Sequence, residues 1–369
     1  MVNFVQKLGT MGLRPAVRFA RNLPPVVERF TQTGSGPMVV FLPSDGRQGA
    51  ALLRIYNVAA GLRALGWRTI VLSSKLTLAG RHRVLALAKP DVVVMKGVRH
   101  PLNRPHLYPG YPIVMDMDDA DFHLDHLYSP LTQAMGQVTA VLAGSRYVAD
   151  WCRANGAGKA HVVWTGAPVS ARRRRSHKDR SLTLAWAQTR PMTYTREAEF
   201  VRDVMAGLSR KREDVRLCLF DRRPGDDPAF QAWFEAAGVR TEWRPQVSYD
   251  AFLDALEDMA LGFAPLSVET PFSRGKSFGK VLAYLDTYVP VLASDACEHG
   301  AFFTPETGVV SNDPELWATE ALRLLADPDG RDKMADAAHQ AFARDLSVTA
   351  MVAKIAPVLT RVAEGARAA

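Results

Sequence analysis

Cysteine is scarce in this 369-residue chain: Cys152, Cys218 and Cys297 are odd in number, far apart, and form no CxxC pair or Cys/His cluster. That excludes a disulfide framework and a structural zinc site. A reducing cytoplasm is the compartment that such cysteine usage fits. No run approaches the ~18 apolar residues needed to cross a bilayer, since stretches such as 38–42 and 92–95 are soon closed by polar or turn residues. The first residues lack the charged, apolar and cleavage regions of a secretory signal, so export is not expected. HExxH and GxGxxG are also missing. Their absence weighs against a zinc hydrolase and a dinucleotide fingerprint respectively.

What is present suits about two domains of ~150 residues each, with 47% hydrophobic residues to fill two cores. The net charge of +8 is concentrated in two segments. Residues 1–36 place Lys7, Arg14, Arg18, Arg21 and Arg29 against Glu28 alone, mixed with Val, Phe, Leu and Met. This is the pattern of a basic amphipathic helix on an anionic membrane surface, the alternative being a loosely packed basic leader. Residues 172–180 set six cations against Asp179, which reads as a solvated linker or, alternatively, a lipid-headgroup contact. The rest is nearly neutral, which argues against nucleic acid as a partner.

From residue 38 short apolar runs alternate with helix-length stretches. The strand candidates are 38–43, 69–73, 91–95, 112–116, 139–143 and 161–164, then 182–187, 215–220, 239–243, 261–265, 289–293 and 308–310. Residues 50–65 carry Leu52, Leu53, Tyr56, Ala60 and Leu65 near helical spacing, with Gly66 where a C-terminal cap belongs. Fully apolar strands joined by helical crossovers predict parallel sheets covered on both faces. The expected order is a leader (1–36), a first doubly wound α/β domain (37–168), a basic linker (169–181), a second such domain (182–344) and a C-terminal helix (345–369) that packs back on the first.

In such sheets ligands bind beyond the carboxyl ends of the strands, and four places qualify. Ser44-Asp45-Gly46-Arg47-Gln48-Gly49 comes after the opening strand and precedes a helix, an anion or sugar cradle of backbone N–H groups or a plain turn. Asp116, Asp118, Asp119 and Asp121 cluster after the fourth strand. Such carboxylates hold a metal, contact sugar hydroxyls, supply an acid or base, or serve as structural ion pairs. Arg190 comes after the first strand of the second half, with Arg196 nearby, and is placed for a diphosphate. After the strand at 261–265, Gly275-Lys276-Ser277 is expected to open a helix with Lys280 one turn on, presenting an ammonium, a hydroxyl and helix N–H groups to one anion. Walker A spacing is not met, because the required earlier glycine is Thr270.

The stretch 276–295, KSFGKVLAYLDTYVPVLASD, resembles the donor-site motif of the retaining GT-B glycosyltransferases of group 1, one branch of which reads approximately KSxxKxxEYxAxGxPVxAS. Lys276, Ser277, Lys280, Tyr284, Pro290, Val291, Ala293 and Ser294 match. The runs 112–122, 141–168 and 312–343 fit the same family less specifically. Ala283 stands where the family places a ribose-binding Glu, Tyr288 replaces a customary Gly, and the position of the other family acid is Gly275.

The resemblance implies two Rossmann-like domains facing a cleft, with a nucleotide-sugar donor in the second and an acceptor in the first. It implies hexosyl transfer with retained configuration and no required metal or other cofactor. On that reading Lys276 and Arg190 stabilise leaving-group charge, and Ser277 with Lys280 supports the phosphates. Glu298 or Glu269 replaces the missing carboxylate. Asp118 positions the sugar or acts as base, and Asp45, Gly46, Gly49 and Asp119 contact the acceptor side. A basic leader fits a lipid-linked or glycan acceptor at the inner face of the cytoplasmic membrane, in cell-surface polysaccharide or glycolipid synthesis. Ala283 equally motivates a catalytically degenerate GT-B-like module that binds a membrane or partner. A sugar-nucleotide epimerase is the third reading.

Overall fold

The computed structural model describes residues 32, 34–172, 174–221 and 227–368. The basic leader lies outside the described residues up to position 31, as does Arg173 of the arginine run. Six strands form the first sheet: β1 (Met38–Leu42), β2 (Arg68–Val71), β3 (Val92–Lys96), β4 (Ile113–Met117), β5 (Ala140–Ala143) and β6 (Ala160–Val162). Their order is β2-β1-β3-β4-β5-β6, parallel throughout. β1, β3, β4 and β5 are buried along their whole length, which is why they read as apolar runs, broken only by Lys96 at the end of β3 and Asp116 within β4. Helices α1 (Asn57–Ala64), α2 (Leu78–Ala88), α3 (Asp125–Met135) and α4 (Arg146–Ala154) belong to this unit. Thr77 caps α2 and Ser145 caps α4, each accepting a bond from a first-turn N–H.

The expected helix at 50–65 forms, with one departure. Its second turn, Leu52–Tyr56, is π-helical, and that insertion carries the buried Arg54. Gly66 closes the helix at φ +81°, a conformation that disfavours a β-carbon.

The second sheet holds β7 (Thr183–Ala187), β8 (Arg216–Asp221), β9 (Thr241–Pro245), β10 (Leu261–Ala264), β11 (Val291–Ala293) and β12 (Val309–Val310). Its order is β12-β11-β10-β7-β8-β9, again all parallel, the Rossmann arrangement of two mononucleotide-binding halves. Helices α5 (Thr195–Ser209), α6 (Pro228–Glu235), α7 (Tyr249–Leu256), α8 (Pro314–Ala326) and α9 (Pro328–Asp345) complete it. Trp317 of α8 is fully buried, edge-on to Phe200 of α5 at 4.9 Å and near Phe263 of β10 at 5.3 Å. Its indole N–H donates to Ser311 O at 2.9 Å, so this large side chain is buried with its one polar group satisfied.

The chain divides into two units: the described residues up to Trp164 together with Met351 onward, and Thr165–Ala350. Residues 169–181, read from the sequence as a solvated linker, lie within the second unit and are tied down by ion pairs. Arg172 meets Asp254 at 2.5 Å and Glu257 at 2.6 Å, Arg174 meets Asp336 at 2.6 Å, Arg175 meets Asp258 at 2.9 Å, and Lys178 meets Asp329 at 2.8 Å. Complementary acids on and beside α7 and α9 meet the basic charge that composition alone left to solvent or, in the alternative reading, to lipid headgroups. Helix α10 (Val348–Ala368) comes last. In the first unit its Arg367 pairs with Asp91 at 2.7 Å, and Lys354 lies 5.3 Å from the Trp164 ring centroid.

Candidate functional site

In the second unit strand order reverses between β7 and β10, and a groove opens at their carboxyl ends. It is lined by Trp186, Gln188, Tyr194, Glu197, Leu266, Lys276 and Lys280, among others. Ligands of open α/β sheets bind at such a switch point. Lys276 sits with its ammonium 4.4 Å from the Phe272 ring centroid, and the Lys280 ammonium donates to the Gln188 side-chain oxygen. Gln188 directly succeeds β7, so the strand end positions Lys280.

The glycine–lysine–serine step does not open a regular helix. Lys276 lies between the short helix Pro271–Arg274 and the 3-10 turn Phe278–Lys280. Ser277 is extended at φ −100° and ψ −178°, and its hydroxyl accepts the Thr165 N–H at 2.9 Å. That bond holds the backbone out of the helix. Ser277 thus anchors the loop, and the two lysines alone face the groove.

Tyr284, a motif match, has a structural task. Its buried hydroxyl accepts the Ala187 N–H at 2.9 Å and donates to Ala185 O at 3.0 Å. Its ring lies flat against Gly262 of β10, where a β-carbon would stand 2.6–2.8 Å from three ring atoms. Tyr284 therefore ties β7 to β10 where the groove begins.

Ala283 is buried and brings no carboxylate. The acid that lines the groove is Glu197, in the first turn of α5, 7% exposed, with one oxygen accepting the Ser267 N–H at 3.0 Å. Glu197 also lines an adjoining cavity of about 270 Å³ with Phe200, Pro265, Leu266, Ser294 and Asn312. Sequence reading missed it, although an acid one turn into the helix after Arg190 was the available signal. Of the two substitutes read from the sequence, Glu269 lines that cavity and pairs with Arg196. Glu298 precedes the short helix His299–Phe302 and is not among the residues lining the groove or the cavity. Arg190 is exposed before the 3-10 turn Pro191–Thr193, its carbonyl accepting from Thr193 N and Oγ1.

In the first unit the order reverses between β1 and β3, and the acidic cluster stands at the end of β4. Asp116 is buried within the strand and takes a two-pronged bond from Arg54 at 2.6 and 3.0 Å. Arg54 also reaches Val163 O at 2.5 Å. The π-turn thus delivers a guanidinium into the sheet's carboxyl edge, a use common for such insertions. Lys96, the last residue of β3, bonds Asp118 and lies 3.3 Å from Asp116. Burial alone would disfavour the Asp118 carboxylate, but Lys96, Arg54 and Arg99 overcome it and hold its pKa well below the usual range. Burial likewise opposes the Lys96 ammonium, and Asp118 with Asp116 raises its pKa on balance. Arg99 meets Asp119 at 3.0 Å and Asp121 at 2.5 Å.

The four carboxylates are therefore paired with Arg54, Lys96 and Arg99; of these cations the sequence pointed only to Arg54, as a residue facing the cleft or the surface, and the structure buries it in the sheet edge instead. Among the described residues no group of three or more His, Cys, Asp or Glu side chains is disposed to hold a metal. Asp45 accepts the Gly46 N–H at 2.7 Å and the Gln48 amide at 2.8 Å, and these two bonds depress its pKa. Gly49, at φ +48° with open space where a β-carbon would point, starts the helix. Asp45, Gly46, Gly49, Asp118 and Asp119 thus share the carboxyl end of one sheet.

Two tandem Rossmann-like parallel sheets, each with its candidate residues at the switch-point end, define the GT-B fold of nucleotide-sugar-dependent glycosyltransferases. Solved structures of that fold resemble the chain closely in backbone and weakly in sequence. A sucrose-phosphate synthase from Thermosynechococcus elongatus matches with a TM-score of 0.68 and 10% identity, over 89% of this chain and 100% of that one. Anabaena HepE, solved in complex with UDP and glucose, matches at 0.65 and 14%, over 88% and 100%. A putative UDP-N-acetylglucosamine 2-epimerase from Listeria monocytogenes matches at 0.60 and 15%, over 90% and 98%. No family model matches the chain, and no curated protein does. The fold thus accommodates transfer and epimerisation alike, and the chemistry must be argued from the site.

Proposed function

We propose that this protein is a glycosyltransferase that moves a hexose from a nucleotide-sugar donor to a glycan or lipid-linked acceptor, with retained configuration, in cell-surface polysaccharide or glycolipid synthesis. The observation that carries this reading is the groove at the β7/β10 switch point, where Lys276 and Lys280 stand beside the buried acid Glu197. Two ammonium groups in one partly desolvated groove stabilise the charge that develops on a departing diphosphate, and they need no reorganisation to do so. Arg190 adds a third cation from the same strand end, and no step of this scheme requires a metal. Glu197 accepts from the ribose hydroxyls in place of a side chain at Ala283, and Ser277 positions the lysine-bearing loop.

On the acceptor side Asp118 positions the sugar rather than removing a proton. A carboxylate held by Lys96 far below its ordinary pKa is a weak base. Asp45, Gly46, Gly49 and Asp119 contribute the acceptor-side contacts, and residues 1–36 bring the protein to the anionic inner face of the cytoplasmic membrane.

Isothermal titration of the full chain against UDP, GDP, ADP and TDP, beside Lys276→Ala, tests the donor site. Saturable binding of one nucleotide, weakened at least tenfold by the substitution, is expected, and UDP heads the series because HepE was solved with it. No binding by a protein shown to be folded favours the second reading, a non-catalytic GT-B-like binding module, which Ala283 motivates. Turnover of the sugar nucleotide without any acceptor favours an epimerase.

A further inference from the structure

A second cavity, of about 250 Å³, lies in the first unit at the end of the sheet opposite the acidic cluster. Pro112, Thr139 and Lys159, each immediately preceding a strand, form its floor with Ala140 and His161, and one face of α10 forms its roof. The roof residues Val358, Arg361, Val362 and Gly365 recur at helical spacing, so a single stripe of α10 is turned onto the cavity. The walls are therefore mostly apolar, with three nitrogen-bearing side chains, Lys159, His161 and Arg361.

Among the described residues neither Lys159 nor Arg361 has an ion-pair partner, and Asp91, an acid at the same edge of the sheet, is taken by Arg367 and the Met38 N–H. Burial, and then the fields of Arg361, Arg153 and Lys159, hold the His161 imidazole below its ordinary pKa, as expected where the potential is positive. Arg153 is itself occupied by Asp150 and Ala160 O.

We propose that this cavity is a binding site for a phosphomonoester with a short apolar body, separate from the donor and acceptor sites. Arg361 and Lys159 pair with the phosphate, His161 donates one hydrogen bond, and the apolar part lies against Val358, Val362 and Pro112. Neither Ser44–Gly49 nor the groove at Lys276 shares a residue with it.

Titration of the full chain with octyl phosphate tests the proposal. Saturable binding is expected, at least tenfold weaker in Arg361→Ala and abolished in Gly365→Leu. Gly365 lines the cavity and a β-carbon there meets nothing within 4 Å, so the leucine adds bulk at the cavity wall without a clash. The exposed Arg361 carries the test if the leucine variant fails to fold. Inorganic phosphate, competing with octyl phosphate in a variant-sensitive way, identifies the anion as the recognised group. Flotation with vesicles of phosphatidic acid separates the two sources of such a ligand. Loss in Gly365→Leu of a preference for these vesicles over phosphatidylglycerol ones, whose phosphodiesters attract residues 1–36 equally, points to a lipid headgroup, and octyl phosphate binding with no such preference points to a free metabolite. Absence of saturable octyl phosphate binding, or equal binding by wild type and both variants, overturns the proposal.

Discussion

Adding one methyl group at Gly262 tests whether the β7/β10 junction is held as the structure indicates. The new β-carbon would stand 2.6, 2.7 and 2.8 Å from the Cγ, Cδ1 and Cδ2 atoms of Tyr284, well inside carbon–carbon contact. The ring has no easy retreat, because it is 1% exposed and its hydroxyl is bonded to Ala187 N and Ala185 O. Overpacking of this kind costs about 1–3 kcal/mol. For a unit of this size that lowers the melting temperature by roughly 2–4 °C per kcal/mol. The effect reaches the groove as well, since Ala187 adjoins Gln188, the partner of Lys280. Gly262→Ala is therefore expected to weaken nucleotide binding in parallel. The assay is thermal unfolding and nucleotide titration of Gly262→Ala, Tyr284→Ala and the double variant. Removing the ring removes the clash, so Gly262→Ala should cost little in the Tyr284→Ala background, leaving a coupling of at least about 1 kcal/mol. Equal costs in both backgrounds, or a single variant as stable as wild type, would refute the reasoning.

Three further outcomes are expected. Removing either partner of the buried Arg54–Asp116 pair, as in Arg54→Met or Asp116→Asn, leaves the other uncompensated and should destabilise by about 3–5 kcal/mol in urea unfolding; the double variant should recover part of that. His177 is 1% exposed, and burial, then Arg180, push its pKa down to about 3, with Arg331 adding to the effect. The unfolded chain then binds the extra proton, so stability is full above about pH 6.5 and falls as the pH drops toward 3, by up to about 1.4 kcal/mol per unit; a pH series on His177→Gln should show a flatter slope. Glu197→Gln keeps an acceptor for the Ser267 N–H and should leave the melting temperature within about 2–3 °C, by the roughly 1 kcal/mol scale of one hydrogen bond. The same substitution should weaken binding of a nucleotide more than of inorganic diphosphate in competition titrations; equal losses would argue against a ribose contact.

Surface ion pairs demand separate treatment. Arg172, Arg174, Arg175 and Lys178 each meet an acid, yet exposed pairs contribute at most about 1 kcal/mol and are screened by salt. Their value here is positional. They fix residues 169–181 against the α7 and α9 regions, together with the buried Arg331, which donates to Leu324 O at 2.5 Å and to His177 O at 3.1 Å.

The sequence by itself determined the sheets. Strands covered on both faces are apolar at nearly every position, so β1, β5 and all of β3 before Lys96 announced themselves as apolar runs, and the alternation with helix-length crossovers allowed only parallel pairing. It also located the residues beyond the strand ends, because chain order dictates which loop leaves each strand. Partnership was not legible. Arg54 and Asp116 are 62 positions apart, and Lys280 and Gln188 are 92 apart; no local periodicity joins such pairs. Only the tertiary structure showed that Ser277 is spent on Thr165, that Tyr284 braces the switch point, and that Glu197 occupies the groove which Ala283 leaves without an acid. The same limit made the arginine run look solvated, since the acids that neutralise it lie on and beside α7 and α9. Local sequence sets conformation through backbone and burial preferences, whereas charge pairing depends on distances that exist only once the sheets have closed.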